Sequence, residues 1–266
     1  MTTTTTRTLP PTVRHGSVGA FRSAAIFIDR SLRHSLRDGE GIIMAIALPV
    51  MLMLMFTFIF GGAIQADGYV DFVVPGVILI CAGFGASSVA VSVNRDITDG
   101  AMRRFRTLPI RSATVLAGHV VASLLRNLVA TAVVIAVAVA IGFRPTASAT
   151  GWLVALALVA LWILAITALF AFVGLISSSA EAANSYGFAL LFLPYLSSAF
   201  VPIATMPGWM QPLATHQPMN PLVVSIRALL VGQGEAQIGS SLAWCFGIAV
   251  TAVLLIGWSF RRSHDR

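Results

Sequence analysis

Apolar residues fall in six long runs, at 42–64, 72–93, 120–141, 152–176, 183–201 and 242–260, each bounded by charged or turn-forming residues. About 20 residues at about 1.5 Å each cross a hydrocarbon core about 30 Å thick, so each run predicts a transmembrane helix. A membrane barrel would show short alternating segments instead, and these are missing. The third run contains Arg126 and the fifth Pro194, so their ends are the least defined. The expected fold is all-α: six spans making one transmembrane domain at 41–260.

Polar stretches add detail. Residues 1–17 are Thr- and Pro-rich and lack the apolar stretch of a signal peptide, which predicts a disordered tail. Over 18–40, Phe21, Ala25, Ile28, Leu32 and Leu36 recur at helical spacing, with Arg22, Arg30, Arg33 and Arg37 on another face. This predicts an amphipathic helix on the membrane surface, serving as an anchor or as a docking face for a partner. The loop 94–111 follows the second run. Thr98 or Asp99 is placed to cap a short helix there, one that must end before Pro109 and that sets Met102 and Phe105 among Arg103, Arg104 and Arg106. The segment 203–240, with five prolines and tryptophans between Met206 and Pro221 reduced to Pro207, Trp209, Pro212, Pro218 and Pro221, predicts short helices against the outer leaflet.

Charge orients the chain. All 17 basic residues are arginine, and the net charge is +7. Fourteen of them precede the first run, follow the second or follow the sixth, which lie on one side if there are six spans. The positive-inside rule makes that side cytoplasmic, with both termini and the tail 261–266 inside. Arg144 and Arg227 fall on the opposite side. Arg126 is a candidate intramembrane charge, about four to six residues from the cytoplasmic boundary, where it could reach headgroups or pair within the bundle. Tyr69, Trp152, Trp209 and Trp258 lie where interfacial rings are favoured. A mean hydropathy of +0.88 with 10% charged residues excludes a soluble domain, and no basic face suits nucleic acid.

Chemistry is sparse. With no lysine there is no P-loop, and none of the ten acidic residues lies deep in a run, which disfavours a carrier driven by an ion gradient. The five histidines are scattered, and Cys81 and Cys245 sit in separate runs as small packing residues, so no catalytic, cofactor or metal site is expected. Met44, Met51, Met53 and Met55 crowd the first run with Phe56, Phe58 and Phe60. Flexible thioethers and aromatic faces suit varied apolar ligands, although lipid-facing filler has the same composition. Met51, Met55, Phe56, Phe60 and, in the fifth run, Tyr195 are the candidate substrate path. Ala82, Gly83, Ala86 and Ser87 form small-residue pairs that allow close helix approach.

The loop from Asp96 to Ile110, continued by Ala117-Gly118-His119 and Leu125-Arg126, resembles that of the ABC type-2 permeases, especially the daunorubicin-resistance branch of drug and lipid exporters. Phe60-Gly61-Gly62, Ala199-Phe200-Val201-Pro202, Met206-Pro207-Gly208-Trp209, Asn220-Pro221 and Arg227 fit in the same order, over about 18–262. The resemblance implies two permeases, identical or related, docked on two cytoplasmic ATPase subunits that hold ATP and magnesium. The contact would be made by the amphipathic helix, with Arg30 and Arg33, and by the loop, with Asp99, Met102, Arg103, Arg104, Phe105 and Arg106. Where family members often carry an acidic residue shortly before the arginine matching Arg126, this chain has Ser123. The expected function is export of a small amphipathic substrate across a bacterial cytoplasmic membrane, in contact with its lipids. An ion-gradient carrier, and a membrane scaffold or immunity protein without transport, are the alternatives.

Overall fold

The computed structural model describes residues 39–61, 68–98 and 112–262. Among them every regular element is helical: α1 (Gly39–Met55), continuing into a π-helical turn (Phe56–Phe60), α2 (Tyr69–Thr98), α3 (Ser112–Ala140), α4 (Ala149–Ile176), α5 (Ala180–Leu191), α6 (Gln211–His216), α7 (Met219–Val231) and α8 (Ile238–Arg262). Four are long and apolar enough to cross a membrane: α2, α3, α4 and α8. The stretch Ala45–Phe60 is a shorter apolar helix, as is α7.

Local chemistry sets several boundaries. Ser148 caps α4, its hydroxyl accepting the Gly151 N–H at 3.1 Å, and Gly232 closes α7 in the left-handed conformation that favours glycine. The expected fifth span at 183–201 is not one helix. Its helical part stops at Leu191 and gives way to a short 3-10 turn, Pro194–Leu196, because Pro194 has no N–H to donate and its ring crowds the preceding turn. Residues 94–98, expected in a loop, extend α2, and α3 begins at Ser112, before its apolar run. Thr98 does not start a new helix: its hydroxyl lies 3.1 Å from the carbonyls of Asn94 and Arg95 and closes the end of α2.

The core is built around α2, which packs against α1, α3, α4, α5 and α7. In its most apolar window 72% is buried inside the protein, against 17% for α8, so α2 is the central rod and α8 a peripheral helix with an exposed apolar face. Gly85 lets α3 approach, because the side chain of Asn127 occupies the space a Cβ there would need. The segment 203–240 departs from expectation in the same way. Rather than lying on a leaflet, α7 is sunk between α2, α4 and α8, burying Leu222, Val223, Ile226 and Leu230 at helical spacing. Both cysteines are free and buried in this core.

Candidate functional site: an aromatic cluster at one end of the bundle

At the Tyr69 end of α2, four rings from distant parts of the chain meet. Phe56 stacks on Phe200 with ring centroids 4.2 Å apart, Tyr195 stacks on the same ring at 5.0 Å, and Phe60 lies 5.4 Å from Phe56. Phe192 extends the group, 6.5 Å from Tyr195. These separations are those of favourable aromatic pairs, worth about 0.5–1.5 kcal/mol each beyond simple burial. Phe200 is buried, whereas Phe60, Tyr195 and Phe192 are exposed, so the cluster has a supported back and an open face. The π turn contributes to this register: it admits an extra residue into one helical turn, as π-bulges commonly do at functional positions.

The support behind Phe200 is a hydrogen-bonded lock on the turn 197–201. Tyr69 donates its hydroxyl to Phe200 O at 2.8 Å. From α7, Arg227 donates through Nε and Nη2 to Phe72 O, at 3.2 and 2.9 Å, and through Nη2 to Ser198 O at 2.7 Å. Its guanidinium lies 3.8 Å from the centroid of the Phe72 ring, so a cation that is 7% exposed is held by carbonyl dipoles and an aromatic face. Asn220 accepts the Ser198 hydroxyl at 2.7 Å. Gly76 completes the lock, since a Cβ there would fall 2.5 Å from that of Ala199.

The opposite end of α2 is fastened by other means. His119 Nε2 of α3 lies 2.9 Å from Asp96 Oδ2, with side chains 18% and 23% exposed. A carboxylate only accepts, so this contact selects the tautomer with the proton on Nε2. One turn earlier, the buried Asn94 donates through Nδ2 to Gly174 O at 3.3 Å and Ser177 O at 2.7 Å, tying α2 to the end of α4. Between the two ends, Arg126 donates through Nη2 to Gly85 O at 2.9 Å and to the Ser88 hydroxyl, both on α2.

Of the candidate substrate-path residues, Phe56, Phe60 and Tyr195 come together. Met51 and Met55 are exposed on α1, while the methionine that enters the core is Met53. Arg30, Arg33, Asp99, Met102, Arg103, Arg104, Phe105 and Arg106 lie outside the described residues. Tyr69 is not the exposed interfacial ring expected: it is 4% exposed and hydrogen-bonded. Phe72, Ser198 and the Asp96–His119 contact were not singled out from sequence. The one available signal was an arginine in the apolar stretch 222–231, which resembled an ordinary loop arginine. Among the described residues no three His, Cys, Asp or Glu side chains group as metal ligands.

Long apolar helices around a central buried helix define a helical membrane protein. Residues 23–233, most of the chain, match the ABC-2 type transporter family, and the chain belongs to it. It is 31% identical over 212 residues to a daunorubicin resistance ABC transporter permease protein of Streptomyces coeruleorubidus, covering 78% of this chain and 74% of that one. It is also 27% identical over 274 residues, 99% of each chain, to a probable doxorubicin resistance ABC transporter permease protein of Mycobacterium tuberculosis.

Proposed function

We propose that this chain is the permease subunit of an ATP-driven exporter that moves a planar, amphipathic aromatic compound out of a bacterial cell. The family match over residues 23–233 carries this reading. The relatives' names supply the substrate class. In this proposal the chain has six spans, α1 and α5 completing the set, in the cytoplasmic membrane with both termini inside. A second permease, identical or related, forms a dimer with it. Hydrolysis of ATP with magnesium takes place on a separate cytoplasmic ATPase, since a chain without lysine has no P-loop. The ATPase docks on the amphipathic helix and on the loop between α2 and α3.

The aromatic cluster then lies at the outer end of the substrate path. Its open rings offer a flat polycyclic ligand stacking surfaces, and the lock behind Phe200 keeps them in register. The test uses inverted vesicles containing the chain and its ATPase, with doxorubicin as the probe. ATP should drive its accumulation. The double change Phe56→Ala with Phe200→Ala should lower transport about tenfold at matched membrane level, as expected for two lost stacking contacts at about 0.5–1.5 kcal/mol each. Accumulation driven by a proton gradient without ATP would instead identify an ion-coupled carrier. An ATPase that binds but drives no transport of this probe would refute the substrate class.

A further inference from the structure

We infer that Asp96 and His119 are a positioning pair that passes movement of the loop 99–111 into the membrane bundle; this rests on the exporter reading. Thirteen residues separate Thr98 at the end of α2 from Ser112 at the start of α3. A loop of that length could shift while leaving both helices in place. The two stems are joined at its base by the contact between Asp96 and His119, 23 positions apart in sequence and 2.9 Å apart in space. A displacement of the loop therefore moves α2 and α3 together instead of spreading them.

Two further contacts determine where that displacement goes. Asn94, 2% exposed and one turn from Asp96, is bonded to the carbonyls that end α4, so α4 follows α2. α2 itself is an unbroken helix of 30 residues, about 45 Å long. Its far end carries Tyr69 and Phe72, whose hydroxyl and carbonyl hold Phe200 and Arg227. One rod thus has the loop at one end and the aromatic cluster at the other. Gly85 and Ser88, midway, add Arg126 of α3 to the same body.

Neither partner touches the aromatic cluster, so a defect should show in coupling rather than in substrate affinity. The measurement is ATP hydrolysed and doxorubicin transported in the same proteoliposomes, using the complete complex of permease and ATPase. Asp96→Ala and His119→Ala should each retain hydrolysis and reduce transport per ATP about tenfold, within the range found for residues along a coupling network. The double variant should be no worse than either single one, because each removes the same contact. Asp96→His combined with His119→Asp should recover at least half of the ratio, with the KM for doxorubicin unchanged. Single variants with the wild-type ratio, or losses that multiply in the double variant, would overturn the inference. Hydrolysis and transport falling in step would assign the pair a structural role instead. If the alanine variants do not accumulate, the exchanged pair decides: a recovered ratio supports the coupling role and a lost one refutes it. Failure of the exporter reading would look different, with wild-type complex that neither retains the ATPase nor transports on ATP.

Discussion

The two ends of α2 are both tied to neighbouring helices, but by different chemistry. At the Tyr69 end the acceptors are main-chain carbonyls of Phe72, Ser198 and Phe200, and the donors, Tyr69 and Arg227, are 4% and 7% exposed. At the Thr98 end a half-buried carboxylate and imidazole meet at the foot of a loop. A buried donor that loses a carbonyl in an apolar setting incurs its full desolvation cost, so the first end is built to stay closed. A partly hydrated pair has water available as a substitute partner and opens at less cost. The first end suits a lock that holds rings in register, the second a joint that moves.

Arg227→Ala should produce the largest effect on this contrast. It removes three charge-assisted hydrogen bonds and a stacked cation, leaving the carbonyls of Phe72 and Ser198 to find other partners. Part of that loss is offset because a buried cation no longer has to be desolvated, so the expected net cost is about 3 kcal/mol. In detergent the unfolding midpoint should fall by roughly 10 °C. Arg227→Lys should lose less, since an ammonium still donates but lacks the planar fork. Hydrogen exchange should rise at 198–201 and stay unchanged at 94–98. An equal rise at both ends would mean that the two are not separate locks.

Asn94→Ala probes the other end and should cost about 2 kcal/mol, through two lost bonds to the carbonyls of Gly174 and Ser177. Exchange should rise around 174–177 while 198–201 remains protected. If the turn at Phe200 loosens as well, α2 is passing strain along its length even without the ATPase, and the distinction between lock and joint fails.

Much of this architecture is legible in the sequence, and the limits have physical causes. Apolar runs record where lipid or protein surrounds a helix, not where its hydrogen-bond ladder stops. The runs therefore locate the helices α2, α3, α4 and α8 but miss that α2 continues to Thr98 and that α3 starts at Ser112. Proline is ambiguous for a related reason: Pro49 and Pro75 sit inside helices, whereas helix α5 ends just before Pro194. α7 is too short to read as a span, so its burial depended on tertiary packing that no periodicity encodes. Phe56, Phe60 and Tyr195 were readable as aromatic residues in or near apolar runs. That Phe200 joins them depends on the turn at 197–201, and that turn depends on Arg227, a residue whose charge suggested a loop. The Asp96–His119 contact was invisible for a simpler reason: its partners sit in different helices on either side of a loop.

The smallest expected effect separates the hydrogen bond from the ring at the Tyr69 end. Tyr69→Phe keeps the aromatic body, which stacks near Phe72 with centroids 6.0 Å apart, and removes only the hydroxyl bonded to Phe200 O. The loss should be about 1 kcal/mol, the usual net value of one hydrogen bond, with a small addition because the Phe200 carbonyl is left without this donor. Arg227 still holds Ser198, two residues away, so the turn should remain closed and doxorubicin transport should fall less than threefold, in keeping with about 0.6 kcal/mol or less reaching the cluster. The measurement is paired: the unfolding midpoint in detergent, and transport in vesicles at matched membrane level. A small drop in both supports a lock in which Arg227 bears most of the load. A transport loss as large as that of the Phe56→Ala, Phe200→Ala double variant would place the control of ring register in the Tyr69 hydroxyl. The division of labour at this end would then be the reverse of the one drawn from burial.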